Sequence, residues 1–292
     1  MQLLDGKLVA EKLREGIQKD SERLIDAGID PHLAAILVGE DAASQTYVRN
    51  KEKACRDTGI VSSVYKLPES VSEKELLELI GFINKDESVH GLIVQLPLPA
   101  HIDSDRVIQH IDPLKDVDGF HPVNAGRMLQ GLPSYLPATP FGILKLIEHY
   151  KIETEGKNCV ILGRSNIVGT PLAILMSRKA NPGNATVTIC HTRTANLPGI
   201  AKEADILVAA IGQPEFVTAG MVKAGAVVID VGIHRIPDNG AKSGYRLVGD
   251  VAFAEVSKKA SWITPVPGGV GPMTIVSLLT NTIRAAKKEI RP

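Results

Sequence analysis

The sequence predicts an α/β protein with two domains, each built on a parallel-type sheet with helices packed against it. The chain has 292 residues, enough for about two domains with separate hydrophobic cores. In both halves, short apolar runs of strand length alternate with longer amphipathic runs, as in sheets whose parallel strands are joined by helices. Residues 112–140 separate the halves and contain five prolines and three glycines. Such a stretch is expected to be irregular, and to be functional or a linker.

Hydrophobic periodicity and breaking residues place the elements of the first half. Val9, Leu13 and Ile17 recur every four residues and predict an amphipathic first helix. Ser72 is a suitable N-cap for a helix that follows it. Gln95 lies at the carboxyl end of a predicted strand, where ligands gather in parallel sheets. The further elements predicted are a strand at 32–39, a helix at 41–58, a strand at 62–67, a helix at 72–84, a strand at 91–96 and a short helix at 105–111.

The second half repeats this alternation. Turn residues at 237–244 separate two short strands and predict a hairpin. The other elements predicted are a helix at 141–150, a strand at 159–162, a helix at 172–179, strands at 185–190, 206–211, 226–231 and 261–265, and a final helix at 274–288.

Composition excludes several classes of function. Lys plus Arg and Asp plus Glu both number 33, so the net charge is zero and no global field attracts nucleic acid or a membrane surface. No apolar run approaches the roughly 20 residues of a membrane span, and charges come too early for a signal peptide. Three widely spaced cysteines indicate a reduced, cytoplasmic protein. Eight histidines form no ligand-spaced cluster, so no metal site is expected.

The stretch Asn158–Pro171, NCVILGRSNIVGTP, combines a strand, a glycine turn and a helix start. This order of elements brings a pyrophosphate against free backbone N–H groups at a helix N-terminus. The spacing departs from GxGxxG, because Ser165 stands where the second glycine belongs and Gly169 comes one residue late. From these residues alone, a nucleotide site and an ordinary strand–helix turn are equally open.

The end of the next strand indicates which nucleotide would bind. A Rossmann strand at this place normally ends in an acid that binds the ribose 2′-hydroxyl. Here the strand runs into His191, Thr192, Arg193 and Thr194, with no acid, and Arg164 lies in the glycine turn. Guanidinium and hydroxyl groups suit a 2′-phosphate, which favours NADP over NAD. A basic loop in solvent is the alternative.

Two groups of polar residues have the composition of a catalytic site. Ser44, Tyr47 and Lys51 fall on one face of the second predicted helix. A lysine acts as a general base only where its surroundings favour the neutral amine, and uncharged neighbours such as Tyr47 and Gln95 would not oppose this. A solvated helix face is the alternative. The loop KDVDG carries two carboxylates, for which a simple turn is the ordinary interpretation.

Five motifs together resemble the bifunctional methylenetetrahydrofolate dehydrogenase/cyclohydrolase (FolD) family. They are SQTYVRNKEKACRDTGI, GLIVQLPLP, KDVDGFHPVNAGR, GRSNIVGTP and TPVPGGVGPMT, and they cover nearly the whole chain in order. The resemblance implies oxidation of 5,10-methylenetetrahydrofolate with NADP+ (in some members NAD+), then hydrolysis of the methenyl product to 10-formyltetrahydrofolate. It implies a folate-binding catalytic domain at 1–138 plus 273–292 and a Rossmann-like NADP-binding domain at 139–272, facing across a cleft. The final helix would return to the first domain, and the protein would be a homodimer.

The resemblance also implies roles for single residues. Lys51 matches the catalytic lysine, Tyr47 the tyrosine that orients the substrate, Gln95 the glutamine that adjusts the lysine, and Asp118 the aspartate that binds the pterin ring. Ser44 and Pro272 are assigned to the folate site. Gly163, Arg164 and Ser165 match the phosphate turn, Thr192 and Arg193 the 2′-phosphate site, and Ile233 the neighbour of the nicotinamide. In one departure, Ala138 stands where many members have cysteine, and little change is expected from it.

Two other functions stay open on the sequence. One is a different two-domain NADP-dependent oxidoreductase, similar to shikimate dehydrogenase, which has no reason to carry both YVRNK and VQLPLP. The other is a non-catalytic Rossmann protein that senses NADP.

Overall fold

The computed structural model describes residues 1–238, 240 and 244–291. The chain forms two compact units, each of which takes its name from its main sheet. The six-stranded unit comprises Met1–Ala10 and Thr139–Thr274. The three-stranded unit comprises Glu11–Ala138 and the chain from Ile275 onward.

Short strands alternate with helices along both units, which confirms the predicted α/β class. The strands are β1 Gln2–Leu3, β2 His32–Val38, β3 Val61–Leu67, β4 Gly91–Val94, β5 Asn158–Leu162, β6 Thr186–Cys190, β7 Ile206–Ala209, β8 Val227–Asp230, β9 His234–Pro237, β10 Tyr245–Val248 and β11 Trp262–Ile263. The helices are α1 Gly6–Asp26, α2 Ala42–Asp57, α3 Glu73–Lys85, α4 Ser104–His110, α5 Pro122–Leu129, α6 Ala138–His149, α7 Gly169–Ser177, α8 Leu197–Lys202, α9 Phe253–Val256 and α10 Val270–Ala286, with a 3-10 turn at Ala219–Met221.

The three-stranded sheet has the order β3-β2-β4, and its strands are parallel. Because β3 lies on one side of β2 and β4 on the other, the strand order reverses between β2 and β4. Ligands bind at such a reversal, outside the carboxyl ends of the strands. Buried aliphatic side chains, among them Leu76 and Ile80 of α3 and Ile36 of β2, form the core that supports the sheet. The predicted cap at Ser72 is confirmed, as part of a capping box with Glu75.

The six-stranded sheet has the order β1-β11-β8-β7-β5-β6, and its strands are also parallel. Here the order reverses between β5 and β7, since β5 pairs with β6 on its other side. Val160, Leu207 and Val228 belong to one buried core cluster on this sheet. The strands β9 and β10 pair in antiparallel fashion as the hairpin prediction requires. The turn residues 239 and 241–243 of that hairpin lie outside the described residues.

The compact units differ from the predicted domains at the amino terminus. Gln2 pairs with Trp262 and Leu3 with Ile263, so β1 is an edge strand of the six-stranded sheet. Met1–Ala10 is therefore grouped with the six-stranded unit. The division of function between 1–138 plus 273–292 and 139–272 stays a prediction.

The prediction that 112–140 is irregular throughout is wrong, because α5 lies within it. Pro122 is in the first turn of this helix, where its missing N–H removes no helical hydrogen bond. The Val123 N–H donates to His121 Nδ1 at 3.1 Å, so His121 caps the helix. Gly126 faces open space, and it weakens the helix without interrupting it. Three helices also begin three or four residues before their predicted starts, α6 at Ala138, α7 at Gly169 and α10 at Val270.

Candidate functional site

Lys51 and Gln95 are in direct contact in the three-stranded unit. The Lys51 ammonium donates to Gln95 Oε1 at 3.1 Å. Gln95 Nε2 donates to the Leu96 carbonyl at 2.7 Å, which turns the amide oxygen toward the lysine. The backbone N–H of Gln95 donates to Ile36 O at 2.9 Å and holds the residue at the end of the sheet. The pair therefore lies at the reversal between β2 and β4, as the sequence predicts for Gln95.

Helix α2 positions the lysine. Its N-cap is Asp41, whose carboxylate accepts from the Ser44 N–H at 2.7 Å. Ser44 is buried, Lys51 is half-buried and Tyr47 is 39% exposed. Arg49, Asn50 and Glu52 are among the exposed residues of the same helix. The interpretation of the Ser44–Lys51 face as a solvated surface is therefore wrong for Ser44 and Lys51.

Asp118 completes this group of side chains. Desolvation raises the pKa of its carboxyl, and the charge of Lys51 acts in the opposite direction. The expectation that only uncharged groups neighbour Lys51 is thus incomplete, because the carboxyl of Asp118 is close enough for the charge of Lys51 to act on it. An ammonium, an amide and a carboxyl group that share a partly buried site can bind a polar heterocycle and move a proton.

The loop that carries Asp118 is fixed by side chains on both of its flanks. Lys115 donates to the backbone carbonyls of Ile83 and Asp86 at 2.9 and 2.6 Å, at the carboxyl end of α3. The buried carboxylate of Asp116 accepts from Phe120 N at 3.2 Å, His121 N at 2.8 Å and Asn124 Nδ2 at 2.9 Å. Asp116 is therefore a structural residue, as the turn interpretation of KDVDG expects for that loop, whereas the carboxyl of Asp118 lies within electrostatic range of Lys51.

Helix α10 and the backbone near Leu136 hold the other side of the loop. The buried side chain of Asn281 donates to Val117 O at 2.8 Å and to Leu136 O at 3.0 Å. The Ala138 N–H donates to Asp118 O at 3.2 Å. Gly119 has a positive φ of 74°, and a Cβ there would clash with the backbone of Leu136. The result is a rigid support for the Asp118 carboxyl.

Asp116 gives the stability of the protein a distinct pH dependence. Burial raises the pKa of its carboxyl from the ordinary 3.8 to about 7. A raised pKa means that the folded state binds the proton more tightly, so the stabilisation is complete below about pH 4 and is lost as the pH rises through 7. Between pH values near 5 and near 8, the Tm of the wild-type protein should fall by roughly 5 °C more than that of Asp116→Asn. Thermal unfolding at both pH values measures this difference.

The matched control is Asp57→Asn, which changes an exposed carboxylate of the same unit. It should follow the wild-type pH profile. A difference in Tm between wild type and Asp116→Asn that is the same at both pH values would contradict this role of Asp116.

In the six-stranded unit, Gly163 ends β5 at the reversal of the strand order. Its φ is 121°, its N–H donates to Cys190 O at 2.8 Å, and a Cβ on it would overlap Ala210 O. A Cβ on Gly169 would in turn overlap Gly163 O. Ser165 Oγ accepts from the Val168 N–H at 3.2 Å and closes the turn. Both glycines are thus required for the chain to pass tightly from β5 into α7.

The end of β6 lies beside this turn, because β5 and β6 are paired up to Leu162 and Cys190. The loop is shaped by two local bonds, from His191 N to Thr194 Oγ1 at 2.9 Å and from Arg193 N to His191 Nδ1 at 3.1 Å. The side chains of Thr192, Arg193 and Arg164 are exposed. A tight glycine cradle, with two free-standing guanidinium groups and no acid at the end of β6, fits a dinucleotide that carries a 2′-phosphate.

The two remaining predicted residues belong to the same unit. Ile233 follows β8 and is 46% exposed. Pro272 is half-buried in the first turn of α10. The sequence reasoning missed the buried carboxylates Asp230, three residues before Ile233, and Asp250, which is bonded to the neighbouring His234. It also missed Asn124 and Asn281. Asn124 stands inside a quoted motif, but nothing in the sequence marks Asn281.

Thiol reactivity and metal binding are limited by the burial of the cysteines and by the placement of the acidic residues. Cys55, Cys159 and Cys190 are free and buried, and burial raises the pKa of Cys55 and of Cys159 to about 12, which makes these thiols unreactive. Within residues 1–238, 240 and 244–291, no group of three or more His, Cys, Asp or Glu residues is placed to hold a metal ion. In the same described part of the chain, no helix has both the length and the apolar character to cross a membrane.

Comparisons with known proteins match both units. The family model of the tetrahydrofolate dehydrogenase/cyclohydrolase catalytic domain matches residues 4–118, and that of the NAD(P)-binding domain of the same enzymes matches residues 137–290. The bifunctional protein FolD of Cytophaga hutchinsonii is 58% identical over 98% of this chain and 99% of its own length.

Solved structures of enzymes in the same family are also similar to this chain. The bifunctional FolD of Campylobacter jejuni is 49% identical, with a TM-score of 0.93 over 99% of this chain and 100% of that chain. The FolD of Trypanosoma brucei, solved with NADP and an inhibitor, is 38% identical, with a TM-score of 0.92 over 99% and 98% of the two chains.

Proposed function

This chain belongs to the tetrahydrofolate dehydrogenase/cyclohydrolase family, and from that premise we propose how its residues perform the two activities. The enzyme oxidises 5,10-methylenetetrahydrofolate to the methenyl cation with NADP+, and hydrolyses that product to 10-formyltetrahydrofolate. Residues 1–138 with 273–292 are proposed as the folate-binding catalytic domain, and residues 139–272 as the NADP-binding domain.

The contact between Lys51 and Gln95 is the observation that carries the proposal. In the hydrolysis, water adds to the methenyl carbon, the bond from that carbon to N5 breaks, and one proton is released overall. Lys51, as the neutral amine, accepts a proton from the water as it adds and returns one to N5 as the ring opens. Gln95 holds the lysine nitrogen beside the carbon, and its neutral amide does so without adding a charge.

The other predicted residues of this site bind and orient the folate. Asp118 binds the pterin ring, and its rigid loop fixes the ring against Lys51. Tyr47 is 39% exposed, and its aromatic ring is proposed to stack on the folate. Ser44 supports the start of the same helix face, and Pro272 is proposed to line the folate site.

The dinucleotide half of the reaction uses the glycine turn. When bound, NADP+ supplies the hydride acceptor. Gly163 and Gly169 let the backbone approach the diphosphate closely, and Ser165 holds the turn in shape. Arg164, Thr192 and Arg193 receive the 2′-phosphate. Ile233 contacts the nicotinamide and helps to set its orientation.

Arg193→Ala tests the phosphate role. Loss of one charge-assisted hydrogen bond should raise the KM for NADP+ by about tenfold or more and leave the folate KM unchanged. Steady-state kinetics with each substrate varied in turn measures both constants. Lys202→Ala, which removes an exposed cation from α8 of the same unit, is the control and should change neither. Equal increases in the two constants would count against the assignment.

The substrate itself is tested with the purified protein and NADP+. Methylenetetrahydrofolate should be oxidised, with a rise in the methenyl absorbance, and shikimate should not be. A shikimate-type oxidoreductase is not favoured, because family models specific to the folate enzymes match both halves of the chain. NADP+ binding without turnover of either substrate would instead indicate a sensor.

The proposal includes a cellular location and an oligomeric state. A cytoplasmic location is supported by three free, buried thiols, which suit a reducing compartment. A homodimer is supported by the family resemblance and by the edge position of β6, whose Ile189 is 37% exposed. Light scattering that gave the mass of one chain at micromolar concentration would contradict the dimer.

A further inference from the structure

Two buried carboxylates in the six-stranded unit are joined in a relay of hydrogen bonds. Asp230, at the end of β8, accepts from the N–H groups of Gly232, Asp250 and Val251 at 3.0, 2.9 and 3.0 Å. Asp250 accepts from the N–H groups of Ile211 and Gly212 at 2.7 and 3.0 Å, and from His234 Nε2 at 2.7 Å. Each carboxylate thus accepts three hydrogen bonds, which offset part of the cost of its burial.

The relay joins three chain segments that lie at the carboxyl ends of strands in the six-stranded sheet. Asp250 ties the residues after β7, Ile211 and Gly212, to the start of β9 at His234. Asp230 ties the backbone of Asp250 to the loop after β8. A Cβ on Gly232 would overlap the Asp250 carboxylate, so the backbone here passes directly over the relay. These are the carboxyl ends of β7 and β8, and β7 borders the crevice where the strand order reverses.

His234 is the member of the relay that reaches the surface. Its side chain is 21% exposed, while that of Asp250 is fully buried. Because Asp250 Oδ1 accepts, His234 Nε2 carries the hydrogen. The bond anchors β9 at its first residue, and Ile233 is the residue just before it. Ile233 is therefore held from both sides, by the Gly232 N–H bond to Asp230 before it and by the His234 bond to Asp250 after it, and only the second is a bond from a side chain of β9.

We infer that His234, acting through Asp250, is a positioning residue for hydride transfer. This inference rests on the proposed function, in which Ile233 contacts the nicotinamide. The relay fixes Ile233 relative to Ile211 and Gly212, and so shapes the wall against which the nicotinamide lies. Hydride transfer depends steeply on such placement, and a shift of about 1 Å costs on the order of a hundredfold in rate. Hydrolysis of the methenyl cation consumes no nicotinamide and does not depend on this wall.

The two activities of one enzyme give the test its internal control. In His234→Leu, the dehydrogenase kcat should fall by about tenfold or more, with little change in the KM for NADP+, because the phosphate contacts lie elsewhere. Cyclohydrolase activity, assayed with methenyltetrahydrofolate and no nucleotide, should stay at the wild-type rate. The deuterium isotope effect with a labelled methylene carbon should increase, because hydride transfer becomes more rate-limiting.

Two further variants separate positioning from stability. In His234→Gln, the side-chain amide can still donate to Asp250, and it should restore most of the dehydrogenase kcat. Arg246→Ala, in β10 of the same hairpin, removes an exposed side chain and should leave both activities unchanged.

A dehydrogenase kcat of His234→Leu within about twofold of wild type would overturn the inference. Parallel loss of both activities, or failure of the Gln variant to recover more than the Leu variant, would overturn it as well. If the unsubstituted protein lacked both activities, the proposed function itself would fail, which is a distinguishable result.

Discussion

Lys51→Met should lower the rate of methenyltetrahydrofolate hydrolysis by at least about a hundredfold, the usual contribution of a positioned acid or base. Methionine keeps an unbranched stem and has nearly the helix propensity of lysine, so α2 should fold as before. Gln95 loses one hydrogen-bond partner in a half-buried position that water can reach. The effect is therefore expected in the rate and not in the Tm.

The dehydrogenase activity of Lys51→Met should be retained in part, because oxidation needs the substrate in place but no proton from this side chain. Hydrolysis is followed by the decay of the methenyl absorbance, and oxidation by its appearance with NADP+. Lys53→Met, an exposed lysine on the same helix, is the matched control and should keep both rates. Hydrolysis at the full wild-type rate in Lys51→Met would remove the basis for the lysine's role.

Gly163→Ala should destabilise the six-stranded unit severely, by on the order of 3 kcal/mol or more, and abolish NADP+ binding. Two causes act together. The φ of 121° is disfavoured for alanine, and the added Cβ would overlap the backbone oxygen of Ala210. Since β5 and β7 are paired up to Leu162 and Ala209, relief of that overlap requires these two strands to separate at the site.

Gly156→Ala isolates the steric part of this effect. Gly156 also has a positive φ, 69°, but its Cβ would meet nothing within 4 Å. It should cost only about 1 kcal/mol, and NADP+ binding should survive. Thermal unfolding and calorimetric titration with NADP+ compare the two variants. Equal Tm values and equal NADP+ affinities for the two variants would contradict the proposed role of the close approach between Gly163 and Ala210.

The parts of the fold that follow from local patterns are predictable from the sequence. Apolar runs such as Val160–Leu162 form buried parallel strands because hydrophobic burial decides their environment. The capping box at Ser72 and the face shared by Ser44 and Lys51 follow from helical spacing. In the same way, a residue at a strand end, Gln95, meets a helix that follows the neighbouring strand.

What the sequence could not predict depends on contacts between distant residues. Asn281 reaches the carbonyl of Val117 across 164 positions, and no periodicity encodes that bond. The donors of Asp250 come from residues 16, 38 and 39 positions away, so its role is visible only once β7 and β9 are in place. The short strand β1 could not be predicted either, because two residues are too few to show a strand periodicity. Only their pairing with β11 identifies them as a strand.

The most direct test of the central claim follows NADPH and the folate species together in one reaction of the unsubstituted protein. With methylenetetrahydrofolate and NADP+, each NADPH formed should be matched by one methenyl cation, which then decays to 10-formyltetrahydrofolate faster than it does without enzyme. Absence of NADP+ reduction would contradict the account. So would NADPH formation in which the methenyl cation persists and decays only at the uncatalysed rate.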